Sequence, residues 1–256
     1  MATQLNNSVG KAFSILKLIG EGLPEISAAD LTRELGMNGI TAHRFLKTLE
    51  KAGALVQVTK GTYRLGYTLV DLGDRALNDN SLGRVLQPCL NRLTAEFKEA
   101  SMATAFQADM VVCIARAVSN RSLSVDIRVG TRLEAYCTAH GKTWLAHLPM
   151  DERDRYFAAA RFERFTDATL LDRADLEQQF ETIRTQGFAL NDGEREEGIR
   201  AVAVPVLTDT GRMVAGLSLF GPSTRLTDAV VEEAVVQLKV EADAARQLLY
   251  GVSLPR

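Results

Sequence analysis

The segment from residue 27 to residue 65 constrains the fold of this chain more than any other part of the sequence. It contains two short amphipathic helical patterns, a turn that includes Gly36, and a two-stranded ribbon with Lys60 and Gly61 at its tip. Helix, turn, helix and β-hairpin in this order are typical of a winged helix-turn-helix. We therefore predict a DNA-binding domain over residues 1–66.

Capping residues predict where the helices of this domain begin and end. Ser27 with Asp30 three residues later forms a capping-box pattern, and Gly36 is a suitable helix end. Asn7 or Ser8 is the predicted cap of an earlier helix. That helix is predicted to bury the apolar positions Val9, Ala12, Phe13, Leu16 and Ile19.

A third helix, predicted over residues 40–52, has one apolar face and one polar, basic face. The first residues of a helix in the major groove meet base edges, whereas Lys and Arg beside them meet phosphates. The candidate contacts on the helix are Thr41, His43, Arg44 and Lys47, and those on the ribbon are Lys60 and Arg64. The alternative is that these charges form an ordinary solvated face.

The distribution of charge favours the DNA interpretation. Residues 1–70 carry eight Lys or Arg against five Asp or Glu, whereas the whole chain has a net charge of −2. Between residues 36 and 65 five basic residues accompany only one acidic residue, Glu50. A local positive excess of this kind suits a phosphate backbone.

After Gly66 the pattern changes. Residues 67–81 are predicted to form a linker helix, and residues 82–256 a second domain that opens with a helix over 82–97. Strands are predicted at 102–107, 111–117 and 123–129, helices at 151–162 and 172–186, and a hairpin of 201–207 with 212–220. A final helix is predicted over 227–250.

Several motifs, spread over most of the chain, resemble the IclR family of bacterial transcriptional regulators. They are GMNGITAHRFLKTLEKAGAL in the third helix, YRLG in the ribbon, TAHGKTWLAHLP from Thr138, QGFALNDGEREEGIRAVAVPV from Gln186 and GLSLFGPSTRLT from Gly216. The resemblance implies an α+β protein: a winged helix-turn-helix, a linker helix and an α/β effector-binding domain similar to GAF or PAS sheets. It also implies a double-stranded DNA operator, a small-molecule effector and a homodimer or homotetramer. Gly39 and Ile40 stand where the family usually has polar residues.

The start of the motif at Thr138 predicts an anion site. Thr138 is a suitable cap for a helix beginning near Ala139, which leaves the backbone N–H groups of Ala139, His140 and Gly141 facing one point. An ordinary helix start is the alternative. The resemblance implies that the effector pocket is lined by Ala139, His140, Asn191, Ala201, Ser218 and Phe220. Such a lining suits an organic acid with an apolar or aromatic body and one anionic end.

Other patterns are interpreted as structural. Cys137, His140 and His147 lack the further ligands that a metal site needs, so we predict no metal and no cofactor. The acidic segment 191–198 is interpreted as a solvated loop. The rival functions are an enzyme acting on a small organic acid, and a DNA-binding protein without a ligand. No phosphate loop or nucleophile motif supports the enzyme.

The sequence also carries a prediction about location. It has no apolar run long enough to cross a bilayer and no secretory signal at its start, and its three cysteines are far apart. These features predict a cytoplasmic protein with free thiols.

Overall fold

The computed structural model describes residues 6–19, 23–78, 81–122 and 125–251, and only the backbone of 73–78 and 81. The chain separates into two compact units, residues 1–79 and 80–256. Helices and antiparallel sheets occur in both units, as an α+β protein requires. Among the described residues, no helix is long and apolar enough to cross a membrane.

The first unit is a three-helix core with a small sheet and a following helix. Its elements are α1 (Asn7–Leu18), β1 (Ile26–Ser27), α2 (Ala28–Leu35), α3 (Gly39–Lys51), β2 (Leu55–Thr59), β3 (Thr62–Leu65) and α4 (Tyr67–Asn78). The strands lie in the order β1-β3-β2 within the described residues, so the short β1 adds an edge to the predicted ribbon. The order of elements confirms the winged helix-turn-helix.

Capping sets the ends of α2 as predicted, and a further cap begins α3. The Ser27 side chain accepts from the Asp30 amide, and the Asp30 carboxylate accepts from the Ser27 amide at 2.8 Å. Gly36 ends α2 in the left-handed conformation, φ 62°, which glycine adopts without a steric penalty. Asn38 caps α3 by accepting from the amide of Thr41 at 2.8 Å.

The prediction for α1 was wrong in two respects. The cap is Asn6, one residue before the predicted Asn7 or Ser8. Ile15 is the fully buried residue of the helix, whereas Val9 and Phe13 are exposed. Apolar residues occur on more than one side of α1, and the periodicity alone does not determine which side faces the core.

The second unit is a sheet with helices on both faces. Its elements are α5 (Ser81–Phe97), β4 (Ala100–Gln107), β5 (Met110–Ala117), β6 (Arg132–Glu134), α6 (Ala139–His147), α7 (Met150–Ala159), α8 (Arg173–Gln186), β7 (Ala189–Asp192), β8 (Ile199–Leu207), β9 (Met213–Pro222) and α9 (Asp228–Tyr250). The described strands form an antiparallel sheet in the order β6-β5-β4-β9-β8-β7. The hairpin of β8 and β9 and the capped α8 confirm the predicted elements.

Alternate strand positions divide the core of this unit into two layers. One layer packs Val202 and Leu219 of the sheet against α5 and α9. The other packs Ala203 and Phe220 against α6, α7 and α8. Alternation of this kind follows from the two-residue repeat of a strand.

The strand predicted over 123–129 is not present in its described part. Residues 125–129 are irregular, residues 123 and 124 lie outside the described ranges, and the edge strand is β6 instead. Arg116 pairs with Asp126 and donates to the carbonyl of Ile127 at 2.8 Å, which attaches this segment to β5. The alternating apolar residues of the segment, Val125 and Ile127, line a cavity rather than a sheet face.

Helix α6 is buried along almost its whole length, from Ala139 to Ala146. A Cβ at Gly141 would lie 2.2 Å from the carbonyl oxygen of Ala135, so only glycine permits this approach of the helix to the end of β6. The close approach places the first turn of α6 directly beside the sheet edge. This arrangement forms one wall of the candidate effector site.

Candidate functional site

The polar face predicted for the third helix is exposed on α3. His43, Arg44 and Lys47 are exposed and Thr41 is half-buried, while Ala42, Leu46 and Leu49 are buried on the opposite side. The Asn38 side chain accepts a hydrogen bond from the backbone N–H of Thr41, so the hydroxyl is the hydrogen-bond donor of Thr41 that remains for DNA. The predicted reading residues therefore share one accessible surface.

Two of the cations on this face differ in their surroundings. Lys47 donates to Glu50 at 2.9 Å and lies 5.8 Å from the centre of the Tyr63 ring. The hydrogen bond with Glu50 raises the pKa of Lys47. Arg44 forms no ion pair within the described residues, so its guanidinium is available without breaking an existing contact.

The ribbon presents the remaining predicted contacts. Lys60 lies at its tip next to Gly61, which has φ 85°, and Arg64 is exposed on β3 opposite Val56. Their neighbour Tyr63 points the other way and is buried in the core of the first unit. The alternation along β3 thus turns Arg64 outward.

A cavity of about 280 Å³ lies at the edge of the sheet in the second unit. Its lining includes five of the six predicted effector residues: Ala139, His140, Asn191, Ala201 and Phe220. Asn191, Ala201 and Phe220 are cross-strand neighbours on β7, β8 and β9, which explains why residues so distant in sequence meet. The Asn191 side-chain amide donates to the carbonyl of Cys137 at 2.5 Å, so its oxygen remains free to accept.

Ser218 is the predicted residue that the structure places elsewhere. It lies two positions before Phe220 on β9, roughly 7 Å along the strand, and it does not line the cavity. Its hydroxyl is completely buried and donates to the carbonyl of Met102 at 3.4 Å.

The first turn of α6 supplies free hydrogen-bond donors to the cavity wall. Thr138 caps the helix, and its hydroxyl accepts from the amide of Gly141 at 3.2 Å. Of the three N–H groups predicted to be free, those of Ala139 and His140 have no acceptor within the described part of the chain. Free N–H groups at a helix N-terminus favour a carboxylate.

The imidazole of His140 belongs to the same wall and is neutral. Burial, assisted by the nearby charge of Arg195, lowers the pKa of His140 to about 3. Neither ring nitrogen has a hydrogen-bond partner in the described part of the chain. The residue therefore adds no charge to the cavity at neutral pH.

Sequence reasoning missed several residues of the site. The segment preceding and including β6 contributes Val125, Ile127 and Arg132, and the segment after β7 contributes Arg195 and Glu196. The signal for the first segment is its alternation of apolar residues, a pattern that predicts a strand.

The prediction of a solvated loop for the second segment holds for Asp192, Glu196 and Glu197, which are exposed, but it is wrong for Glu194. Strand β7 extends through Asp192, and Glu194 is buried against Lys142 of α6. Charged side chains are rarely buried without a partner, but the sequence did not reveal that Lys142 would be that partner.

The residues considered for a metal site are not grouped as ligands. Among the described residues, no three His, Cys, Asp or Glu side chains come close enough to hold a metal ion. His147 binds the carbonyl of Thr143 through Nδ1 at 2.8 Å. Burial raises the pKa of the Cys137 thiol to about 12, so this thiol is protonated at neutral pH.

Comparisons with known proteins agree with this two-unit arrangement. The chain is 32% identical over 237 residues to the HTH-type transcriptional regulator KdgR of Escherichia coli, covering 92% of this chain and 90% of KdgR. It superposes on the crystal structure of the Thermotoga maritima IclR with a TM-score of 0.64 and 27% identity, covering 95% and 99% of the two chains.

A third similarity concerns the second unit. The inducer-binding domain of a double mutant of PobR from Acinetobacter, in complex with 3-hydroxybenzoic acid, matches 65% of this chain and 98% of that chain, with a TM-score of 0.61 and 25% identity.

Two family models match the chain directly. Residues 8–59 match the IclR helix-turn-helix domain, and residues 74–248 match the C-terminal domain of the bacterial transcriptional regulator IclR. The relatives are transcriptional regulators rather than enzymes. This chain therefore belongs to the IclR family of ligand-responsive transcriptional regulators.

Proposed function

We propose that the chain binds a pseudo-palindromic operator as a homodimer or homotetramer, and that an organic acid bound in the second unit controls this binding. In this proposal residues 1–66 contact DNA, 67–81 link the domains and 82–256 bind the effector. The exposed basic face of α3 carries the DNA part of the proposal. One recognition helix makes too few base contacts for useful specificity, so symmetric pairing is the physical expectation.

The DNA contacts follow from position on this face. Thr41, His43 and Arg44 lie in the first half of α3 and are assigned to base edges. Lys47, Lys60 and Arg64 are assigned to phosphates. Exposed apolar residues of α1, Val9 and Phe13, support self-association because a second copy would remove them from water.

The effector part of the proposal rests on one observation: a cavity that combines apolar side chains with the N–H groups of the first turn of α6. The lining includes Ile127, Ile199 and Phe220, which suit an apolar or aromatic body. The amides of Ala139 and His140 suit its carboxylate. The PobR domain, which holds 3-hydroxybenzoic acid, has the same fold.

Of the residues assigned to the effector, Ser218 would act indirectly. Ala139, His140, Asn191, Ala201 and Phe220 line the cavity, whereas Ser218 is buried and does not line it. A ligand can change DNA affinity only if it prefers one arrangement of the protein over another.

Isothermal titration calorimetry on the full chain tests the effector class. The panel contains benzoate, 3-hydroxybenzoate and phenylacetate, with pyruvate and glyoxylate as small oxo-acids. We expect at least one aromatic acid to bind and to shift the affinity for a duplex selected by this protein from random DNA. Binding of the oxo-acids alone would reject an aromatic effector, and binding of no acid would reject the effector proposal.

A further inference from the structure

Arg195 is the cation of the effector cavity that is best placed to meet a ligand. Its side chain lines the cavity and is 35% exposed. Its Nε donates to the carboxylate of Glu134 at 2.7 Å. The two terminal nitrogens make no hydrogen bond within the described residues, so the outer edge of the guanidinium is unoccupied by protein.

This guanidinium is held in place before any ligand arrives. Its Cζ lies 5.4 Å from the centre of the Phe165 ring, and Glu134 restrains the Nε edge. A donor group that is already ordered loses little entropy when it binds. Arg195 therefore meets the structural requirement for a preorganised contact.

The backbone that carries Arg195 is also anchored. The preceding residue, Glu194, places its side chain on the buried ammonium group of Lys142. The carbonyl of Glu194 accepts from the hydroxyl of Thr169 at 2.6 Å. These contacts fix the residue next to Arg195 on two sides, so the guanidinium is presented from a rigid segment.

Arg195 lies in the neighbourhood of the first turn of α6. It contributes to the same cavity wall as Ala139 and His140, and its charge helps to lower the pKa of His140. A guanidinium carries five N–H donors in a planar fork, of which one here is occupied by Glu134. The remaining donors match the two oxygens of a carboxylate.

We propose that Arg195 binds the ligand carboxylate through its terminal nitrogens, together with the free amides of the first turn of α6. Arg195 would thus lie between two carboxylates, that of Glu134 and that of the ligand. The site would select a planar carboxylate over the neutral amide of the same body. This inference rests on the proposed effector function and adds the residue by which the site prefers an acid to its amide.

Paired probes test the inference on the full chain. The probes are 3-hydroxybenzoate with 3-hydroxybenzamide, phenylacetate with phenylacetamide, and pyruvate with pyruvamide, each measured by calorimetry. For the acid that binds, we expect Arg195→Gln to weaken binding by roughly 10- to 150-fold, the range for a hydrogen bond to a charged group. Arg195→Gln is expected to bind the amides as the wild type does. Arg195→Lys should recover only part of the acid affinity, because a lysine lacks the planar pair of donors of a guanidinium.

Arg132 offers a matched control. It lines the same cavity, but its terminal nitrogen already donates to the carbonyl of Gln107 at 2.8 Å. Arg132→Gln is expected to weaken acid binding by less than about 3-fold. Thermal unfolding and DNA affinity without ligand should match the wild type for Arg195→Gln and Arg195→Lys.

The outcomes separate the two proposals. Acid binding by Arg195→Gln at wild-type strength, or an equal loss in Arg132→Gln, overturns the role of Arg195 and leaves the effector function standing. A wild-type chain that binds no acid overturns both. If Arg195→Gln does not fold, Arg195→Lys provides the test. Wild-type acid affinity in Arg195→Lys would show that the planar pair of guanidinium donors is not needed for acid binding.

Discussion

The ammonium group of Lys142 donates a hydrogen bond to the carboxylate of Glu194, and the two side chains are only 1% and 10% exposed. Lys142 also donates to the side-chain oxygen of Gln179 at 3.0 Å. Burial lowers the pKa of Lys142 and raises that of Glu194, and the opposite charge of each partner counteracts these shifts. The pair ties α6 to the segment that carries Arg195.

Breaking this pair on one side should destabilise the second unit strongly. We expect Lys142→Met to lower the free energy of unfolding by about 3–5 kcal/mol, because the Glu194 charge would remain buried without its partner. Glu194→Leu should act in the same direction, because it leaves the Lys142 charge buried without its partner. Trp144, the single tryptophan of the chain, lies in this unit, so its fluorescence during urea unfolding reports the loss.

The double variant Lys142→Met with Glu194→Leu is the control. It leaves no unpaired charge, so its cost should be clearly smaller than the sum of the two single losses. Strict additivity would show that the two side chains do not stabilise each other.

The neutral His140 should make the second unit less stable in mild acid. The pKa of this residue is about 3 in the folded chain and 6.5 in the absence of the fold. As the pH falls below 6.5, the unfolded chain takes up a proton that the folded chain does not. The free energy of unfolding should therefore decrease, by about 1.4 kcal/mol at pH 5.5.

His140→Gln should remove most of this pH dependence when Trp144 fluorescence is followed in urea at pH 7.5 and 5.5. Some dependence should remain, because burial also lowers the pKa of His147. An unchanged slope in His140→Gln would show that other groups cause the loss.

Arg44→Ala should weaken binding to a selected operator duplex by about 1–3 kcal/mol and reduce the preference for that sequence over others. Arg44 is exposed on α3 without an ion pair among the described residues, so its replacement should leave stability nearly unchanged. Lys51→Ala, about two turns later on the same helix, is the control for a general loss of charge. If Arg44→Ala instead lowers the affinity equally for all duplexes, and the affinity depends less steeply on salt, Arg44 contacts a phosphate rather than a base.

Gly39 is a position where DNA affinity can be raised. A Cβ there would meet no atom within 4 Å, and the residue stands in the first turn of α3. Gly39→Lys should therefore be tolerated and add one phosphate contact. The slope of log affinity against log salt concentration should become more negative by about 0.9.

Gly39→Ala separates the charge from the change in backbone freedom. It should leave the salt slope unchanged, while helix propensity adds up to about 1 kcal/mol to the stability of the first unit. An unchanged slope in Gly39→Lys would place this turn away from the DNA backbone.

Local signals in the sequence predicted most of the elements. The capping box of Ser27 and Asp30, the glycine end of α2 and the Thr138 cap of α6 each depend on residues within a few positions of one another. Interactions over so short a distance do not require knowledge of the tertiary structure. The face of α1 that is buried and the irregular segment at 125–129 did require it, because both depend on packing partners far along the chain.

The sequence by itself determined the family and the winged helix-turn-helix, because motifs and helix caps consist of neighbouring residues. Through the family resemblance it also predicted five of the residues that line the cavity. Only the tertiary structure decided that Glu194 is buried on Lys142, that Ser218 does not line the cavity and that Arg195 does. The physical reason is that burial of a charge depends on a partner brought by another element. Lys142 and Glu194 are 52 residues apart, and no local pattern joins them.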